Sequence, residues 1–193
     1  MIKKELVFAT HNVHKAQEIQ AILGNQFSVK TLTDIGIDEE IAETGEVLKE
    51  NAFIKSSYVF KKTGLNVFSD DTGLEVTALN GAPGVFSARY SGAQKNDSDN
   101  INLLLKNLAH FADKSAQFHT VISLFWEGKH YFFNGYCKGN ISNQKLGENG
   151  FGYDPIFIPE GYVQSFAQMS VKQKNVLSHR GRAIKEMTAF LIS

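Results

Sequence analysis

Short apolar runs alternate with helical stripes along the first third of the chain. Leu6–Thr10 is apolar and breaks at His11-Asn12, which predicts a buried strand entering a loop. From His14 to Leu23, Ala16, Ile19, Ile22 and Leu23 recur at helical spacing, and Gly24 ends the pattern. Phe27–Leu32 predicts a second strand, and Asp34–Glu43 an acidic loop. A long helix is predicted over roughly Glu46 to Lys62, with Val47, Leu48, Ala52, Tyr58 and Val59 as its apolar stripe. Glu46 lies near its positive start, Lys61 and Lys62 near its negative end, and Gly64 suits the cap.

Farther along, Asn66–Ser69 and Leu74–Leu79 read as two strands flanking the turn Asp70-Asp71-Thr72-Gly73. The loop Asn80-Gly-Ala-Pro-Gly84 follows. Asp97 or Ser98 can cap a helix whose stripe is Ile101, Leu104, Leu105 and Leu108. Phe118–Trp126 and His130–Cys137 are aromatic and β-branched around Glu127-Gly128-Lys129, a hairpin signal. A glycine-rich loop over 147–155 precedes a strand at Ile156–Ile158. Ala183, Ile184, Met187, Phe190 and Leu191 line a final helix. Helices and strands alternate early and a hairpin comes late, so a mixed α/β sheet fits better than a purely doubly wound one.

Composition narrows the class. With 193 residues, the chain has the length of one large domain or two small lobes sharing a core. Twenty Lys+Arg balance twenty Asp+Glu, whereas a protein holding nucleic acid by counterion release is usually more basic. A local basic pocket for a small anion remains compatible with that balance. The single cysteine, Cys137, excludes an internal disulfide framework and Cys-rich zinc sites. No stretch approaches the ~20 apolar residues of a membrane span. The opening Met1-Ile-Lys-Lys-Glu-Leu-Val-Phe-Ala is too short and too early in charge for a signal peptide. The expectation is a cytoplasmic protein with neither nucleic-acid nor membrane partners.

Five segments carry candidate chemistry. Thr10-His-Asn-Val-His-Lys15 lies where a strand passes into a helix, and free N–H groups with a lysine suit phosphate there. A capped helix with a solvated Lys15 fits the same residues. Asp70-Asp71 places two repelling carboxylates side by side, which a cation such as Mg²⁺ would compensate; a plain Asp-rich turn is the alternative. Glu43, Glu50, Asn51 and Lys55 form an acidic-to-basic stretch, a candidate site, although charges spaced this way usually line a solvated helix face. In Gly150-Phe-Gly-Tyr-Asp154, flanking glycines let the backbone approach a flat ligand while Phe151 stacks on it; a tight turn burying Phe151 is the other reading. Lys174 with Ser178-His179-Arg180 sets cations before a helix start, against the dipole, which marks a donor-rich corner. Together these describe a Mg²⁺-dependent enzyme acting on a nucleotide.

In order along the chain, Thr10-x-Asn12-x-x-Lys15, Glu43-Thr44-Gly45, Glu50-Asn51-Ala52-x-x-Lys55, Ser69-Asp-Asp-Thr-Gly73 and Gly81-Ala-Pro-Gly-Val-Phe-Ser-Ala-Arg-Tyr-Ser-Gly92 resemble the inosine triphosphate pyrophosphatase family. Gly150-Phe-Gly-Tyr-Asp-Pro155 and Lys174 through Ser178-His-Arg-Gly181 agree, so the resemblance covers essentially the whole chain. It implies an α/β fold with a long central mixed sheet flanked by helices, as a single domain of two lobes with a cleft between them, and a homodimer. It implies hydrolysis of ITP, dITP and XTP to the monophosphate and pyrophosphate with Mg²⁺. Asp71 would be the general base and a metal ligand, with Asp70 and Glu43. Thr10, His11, Asn12, Val13, His14, Lys15 and Lys55 would hold the triphosphate, and Thr72 would contact substrate. Phe151 would stack on the base, Gly152, Tyr153 and Asp154 would shape its pocket, and Lys174, His179 and Arg180 would complete recognition. One position departs from the family pattern: Ala42 stands where many relatives have an acid, leaving Glu43 to serve, or Asp71, Glu50 and water. A pyrophosphatase of modified pyrimidine nucleotides and a non-hydrolysing nucleotide-binding protein are the alternatives to this reading.

Overall fold

The structure is a computed structural model that describes residues 4–24 and 26–193. Met1–Lys3, part of the segment that bears on targeting signals, lie outside the described residues. Seven strands form one mixed sheet: β1 (Lys4–Phe8), β2 (Phe27–Thr31), β3 (Val67–Val76), β4 (Pro83–Gly84), β5 (Ser115–Trp126), β6 (Lys129–Ile141) and β7 (Phe157–Pro159). Their order is β2-β1-β3-β5-β6-β7, with β4 pairing β3. β1 pairs parallel with β2 and β3, while β4 on β3 and β7 on β6 are antiparallel. Among the described residues five helices accompany the sheet: α1 (Val13–Leu23), α2 (Leu48–Thr63), α3 (Asp97–Leu108), α4 (Val171–Leu177) and α5 (His179–Ile192). The mixed α/β sheet with flanking helices is the expected one.

The chain divides into two compact units. The first comprises residues 1–71, 120–135 and 180–193, the second 72–119 and 136–179. In the first, alternation along β1 sends successive side chains to opposite faces. Leu6 and Phe8 pack with Ile19 and Leu23 of α1 and Ala183, Ile184 and Met187 of α5. Val7 and Ala9 pack the other way, with Val59 of α2. The parallel part of the sheet is thus covered on both faces. The second unit has its own core, in which Leu74, Val76, Leu104, Phe118, Ile141, Tyr153, Phe157 and Phe166 cluster.

Local chemistry explains the boundaries. Gly24 and Gly64 end α1 and α2 at positive φ of 59° and 69°. The β5–β6 turn puts Glu127 and Gly128 at φ 50° and 77°, the geometry that matches strand twist in a tight hairpin. On α2, Leu48, Ala52 and Val59 are buried but Val47 and Tyr58 are not; the Tyr58 hydroxyl instead donates to Glu39 at 2.6 Å. Three expectations are corrected. Asp70–Gly73 is no turn: β3 runs unbroken through it, and residues 77–79 form a 3₁₀ turn rather than strand. The cap of α3 is Asn96, which accepts from the Asp99 N–H. Lys174 lies not at the start of the last helix but on α4, which has its own capping box at Ser170.

Candidate active site

Two clusters gather most of the expected residues, one in each unit. The first is built on β3. Period-2 alternation turns Asp70 and Asp71 to opposite faces of the strand. Phe68 packs with α1 and α5, and Asp70, two residues on, meets Lys15 of α1 and Arg180 of α5. Its Oδ1 accepts from Lys15 Nζ at 3.0 Å and its Oδ2 from Arg180 Nε at 3.2 Å. Ser69 faces α2 by donating to the Ala52 carbonyl, and Asp71 likewise meets Lys55 of α2, whose Nζ is 3.8 Å from Asp71 Oδ1. Lys55 also donates to Glu43 Oε1 at 2.5 Å. The repulsion expected between neighbouring carboxylates is thus relieved by separate cations on separate faces, which is why a strand tolerates them. Asp70, expected among the metal ligands, has both oxygens on cations.

The electrostatics of the pair diverge accordingly. Burial alone would raise the Asp70 carboxyl, but Lys15, then Arg180 and Lys55, outweigh it and hold the group well below the ordinary carboxylate range. Burial also leads for Asp71, and there it prevails: Lys55 and Lys15 pull down, Glu43 and Asp70 push up, and the carboxyl sits above its ordinary value. Burial depresses the Lys55 ammonium, yet Asp71, Glu43 and Asp70 raise it beyond its usual range. Two neighbouring aspartates therefore differ in basicity, as acid–base chemistry requires.

The loop before α1 is shaped by its own polar groups. Asn12 caps the helix by accepting from the Lys15 N–H at 3.0 Å, and Thr10 Oγ1 accepts from the Asn12 N–H at 3.1 Å. His11 Nε2 lies 3.2 Å from the Glu39 carbonyl. His11, Val13 and His14 are exposed. Glu50 turns away, accepting from the Glu46 N–H. Asn51 Oδ1 accepts from the Gly45 N–H at 2.8 Å, which fixes the segment just after Glu43. Glu43 and Asp71, which share Lys55, are the oxygen pair suited to a divalent cation. Among the described residues no three His, Cys, Asp or Glu groups converge as a ready-made cage. Such an ion would draw its remaining ligands from water and substrate phosphate, as Mg²⁺ commonly does.

The second cluster lies in the other unit. Asp154 is buried, and its Oδ2 accepts from Lys174 Nζ at 2.7 Å and from the Phe151 N–H at 2.9 Å. It therefore braces the loop from within. Gly150 is at φ 80°, and a Cβ there would collide with Asp154 Oδ2, so the turn demands glycine. Lys174 Nζ sits 4.8 Å from the Phe151 ring centre. Phe151 is half-buried, whereas Tyr153 is in the core with its hydroxyl donating to the Ser87 carbonyl at 2.9 Å. His179 is buried and stacks on Phe118 at 4.4 Å. Thr72 follows Asp71 on β3. Cys137 is buried in β6, the inert role its position suggests.

Two residues of these clusters escape sequence reasoning. Glu18 accepts from Arg180 Nη1 at 2.5 Å; its spacing of three from Lys15 on one helix face is the available signal. Asp97 reads from the sequence only as a cap. With Asn96 in that role, the Asp97 carboxylate accepts from the Gly152 N–H at 2.6 Å, across 55 residues of sequence.

Fold and clusters define a mixed α/β protein with a buried lysine–carboxylate network on β3 and a lysine-braced glycine loop. The chain belongs to the Ham1 family, whose model matches residues 6–190. It is 49% identical over 187 residues to the dITP/XTP pyrophosphatase of Flavobacterium johnsoniae, covering 97% of each chain. It is 50% identical over 186 residues to the protein of the same name from Flavobacterium psychrophilum, covering 96% of this chain and 98% of that one. Among solved structures, the Staphylococcus aureus Ham1 protein matches with a TM-score of 0.88 at 42% identity, covering 97% of this chain and 98% of that one. The Coxiella burnetii HAM1 protein matches at 0.89 and 37%, covering 98% of each chain. The resemblance carried by the seven motifs is borne out.

Proposed function

We propose that the chain is a nucleoside-triphosphate pyrophosphatase that hydrolyses ITP, dITP and XTP to the monophosphate and pyrophosphate. The observation that carries this reading is Asp71. It is a buried carboxylate of raised proton affinity, facing Lys55 and Glu43, in a chain half-identical to proteins named for that activity. Lys15, Lys55 and Arg180, with the N–H groups at the start of α1, draw in and orient the phosphate chain. Asp71 accepts a proton from water as the water oxygen bonds to the α-phosphorus, and the bond to the bridging oxygen breaks. Pyrophosphate leaves, and the nucleotide departs as its monophosphate. Asp71 and Glu43 would hold Mg²⁺, which supplies charge neutralisation and a more acidic water when bound.

Base selection falls to the second cluster. Phe151 offers a ring for stacking, and Lys174 and His179 supply donors. Hypoxanthine and xanthine carry a carbonyl oxygen at C6, which accepts such donors; adenine presents an amino group there and leaves them unpaired, a strong basis for rejection. The family resemblance supports a homodimer acting on the cytoplasmic nucleotide pool. The test is a pyrophosphate-release assay with Mg²⁺ over a nucleotide panel. ITP, dITP and XTP should turn over far faster than ATP, GTP or modified pyrimidine triphosphates. Orthophosphate as the first product would overturn the reading.

A further inference from the structure

Glu39, Tyr58 and Lys62 have no step in the chemistry above, yet they continue the stripe of α2 that meets Glu43. Asn51, Lys55, Tyr58 and Lys62 recur at intervals of four, three and four, so they share one face of the helix. Residues 36–47, between the 3₁₀ turn Thr33–Ile35 and α2, run back along that face. Asn51 Oδ1 accepts from the Gly45 N–H at 2.8 Å, and Lys55 Nζ donates to Glu43 Oε1 at 2.5 Å. Farther down the helix, Glu39 Oε1 accepts from the Tyr58 hydroxyl at 2.6 Å and from Lys62 Nζ. Residue 45 with 51, 43 with 55, and 39 with 58 and 62 is the pairing of a strap laid antiparallel to the helix. Ile37 and Ile41 alternate with Glu39 and Glu43 along it and join Val59 and Phe60 in one apolar cluster.

Apolar contact holds the strap down, but it is non-directional and does not set the register of the strap on the helix. Hydrogen bonds do. One end is fixed at Gly45, and the other at Glu39, four residues before Glu43. Glu39 also reaches the loop before α1, where its carbonyl accepts from His11 Nε2 at 3.2 Å. Bonds from Lys62, then Tyr58, hold the Glu39 carboxyl down at about 2, so it is ionised at neutral pH. Both side chains of the Lys62–Glu39 pair are about half exposed, and such pairs add little to stability. The consequence of this pair therefore lies in where it holds the strap. We propose that Glu39 is a positioning residue: clasped by Tyr58 and Lys62, it sets the register of the strap on α2, and so the place of the Glu43 carboxylate before a divalent cation. The inference rests on the assignment of Glu43 to that cation in the proposed function.

The experiment is titration of the full chain with Mn²⁺, free ion being counted by electron paramagnetic resonance, beside melting temperature and Mg²⁺-dependent ITP turnover. Glu39→Ala should weaken Mn²⁺ binding about tenfold, the low end of what outer-shell partners contribute to metal affinity. The Mg²⁺ concentration for half-maximal turnover should rise by a like factor, with turnover at saturating Mg²⁺ near wild type. Its melting temperature should barely move. Tyr58→Phe should reproduce part of the loss, and the double variant should lose no more than Glu39→Ala, because both act through one contact. Glu39→Gln, which keeps an acceptor, should recover part of it. A folded Glu39→Ala variant with wild-type Mn²⁺ affinity overturns the inference, as does a lowered melting temperature with affinity unmoved. Should Glu39→Ala fail to fold, Tyr58→Phe is decided by the same affinity measurement. Glu43→Gln separates the two readings. If it loses Mn²⁺ affinity and Glu39→Ala does not, the cation assignment stands and the clasp alone fails; if it binds like wild type, or wild type binds no Mn²⁺, both fail. A chain that loses affinity on Glu39→Ala, yet releases no pyrophosphate from any nucleotide, defeats the pyrophosphatase reading alone.

Discussion

Asp70 and Asp71 are chemically identical and adjacent, and their surroundings drive them apart. Asp70 has a cation on each oxygen and stays ionised far into acid, while Asp71 is held by burial toward the protonated side. The two substitutions should therefore fail differently. Asp71→Asn keeps size and removes the proton acceptor, so turnover should fall on the order of 100-fold or more with nucleotide binding retained; steady-state kinetics beside calorimetry with ITP would show it, and near-normal turnover would remove Asp71 from its role. Asp70→Asn removes the charge that Lys15 and Arg180 share, leaving the Arg180–Glu18 pair in place, and should cost about 3–5 kcal/mol of stability at neutral pH. The sign with pH follows from the depressed carboxyl. Its contribution is fully present above the unfolded-state value and is lost as pH falls below about 4. Urea titrations of the two proteins should accordingly differ most at neutral pH and converge in acid.

Among the elements, β3 shows what a sequence can and cannot disclose. Asp-Asp-Thr-Gly reads as a turn by composition, because turn propensity is local while Lys15, Lys55 and Arg180 come from three distant helices. Once those cations are in place the strand continues. Gly73 then serves the sheet, since a Cβ there would stand 2.6 Å from the Gly84 carbonyl oxygen of β4. Gly73→Ala should push β4 off β3 and cost about 1–3 kcal/mol, the usual penalty of forcing bulk into a packed site, visible as a lower melting temperature. The helix stripes of α1, α3 and α5, the hairpin and the caps at Gly24 and Gly64 are legible because each is a local pattern. The tie between Asp97 on α3 and Gly152 is not, because nothing in a first helical turn distinguishes a capping aspartate from one reaching a remote loop. Asp97→Ala should loosen the loop that carries Phe151, raising KM for ITP roughly 5- to 30-fold at nearly unchanged kcat, as expected for one charge-assisted hydrogen bond.

At the scale of the whole molecule, zero net charge conceals strong local polarity. The cations that matter are paired with carboxylates inside each unit, Lys15, Lys55 and Arg180 in the first and Lys174 in the second. Motif order along the chain reveals this set where no single motif does. Asp71 and Thr72 fall on opposite sides of the division between units, as do His179 and Arg180, so each motif supplies a residue to both. If the phosphate chain is read by the residues around Asp71 and the base by those around Phe151, ligands of different extent should leave different footprints in amide hydrogen exchange. Pyrophosphate with Mg²⁺ should slow exchange around 10–15 and 69–71 and leave 147–155 unchanged. A non-hydrolysable α,β-methylene analogue of ITP with Mg²⁺ should slow both segments, and at a hundredfold excess over its Kd should add about 2.7 kcal/mol to unfolding. The ATP analogue, poorly held by the base cluster, should resemble pyrophosphate alone. Equal protection of 147–155 by pyrophosphate would show that the glycine loop answers to phosphate, and the division of labour between Asp71 and Phe151 would have to be redrawn.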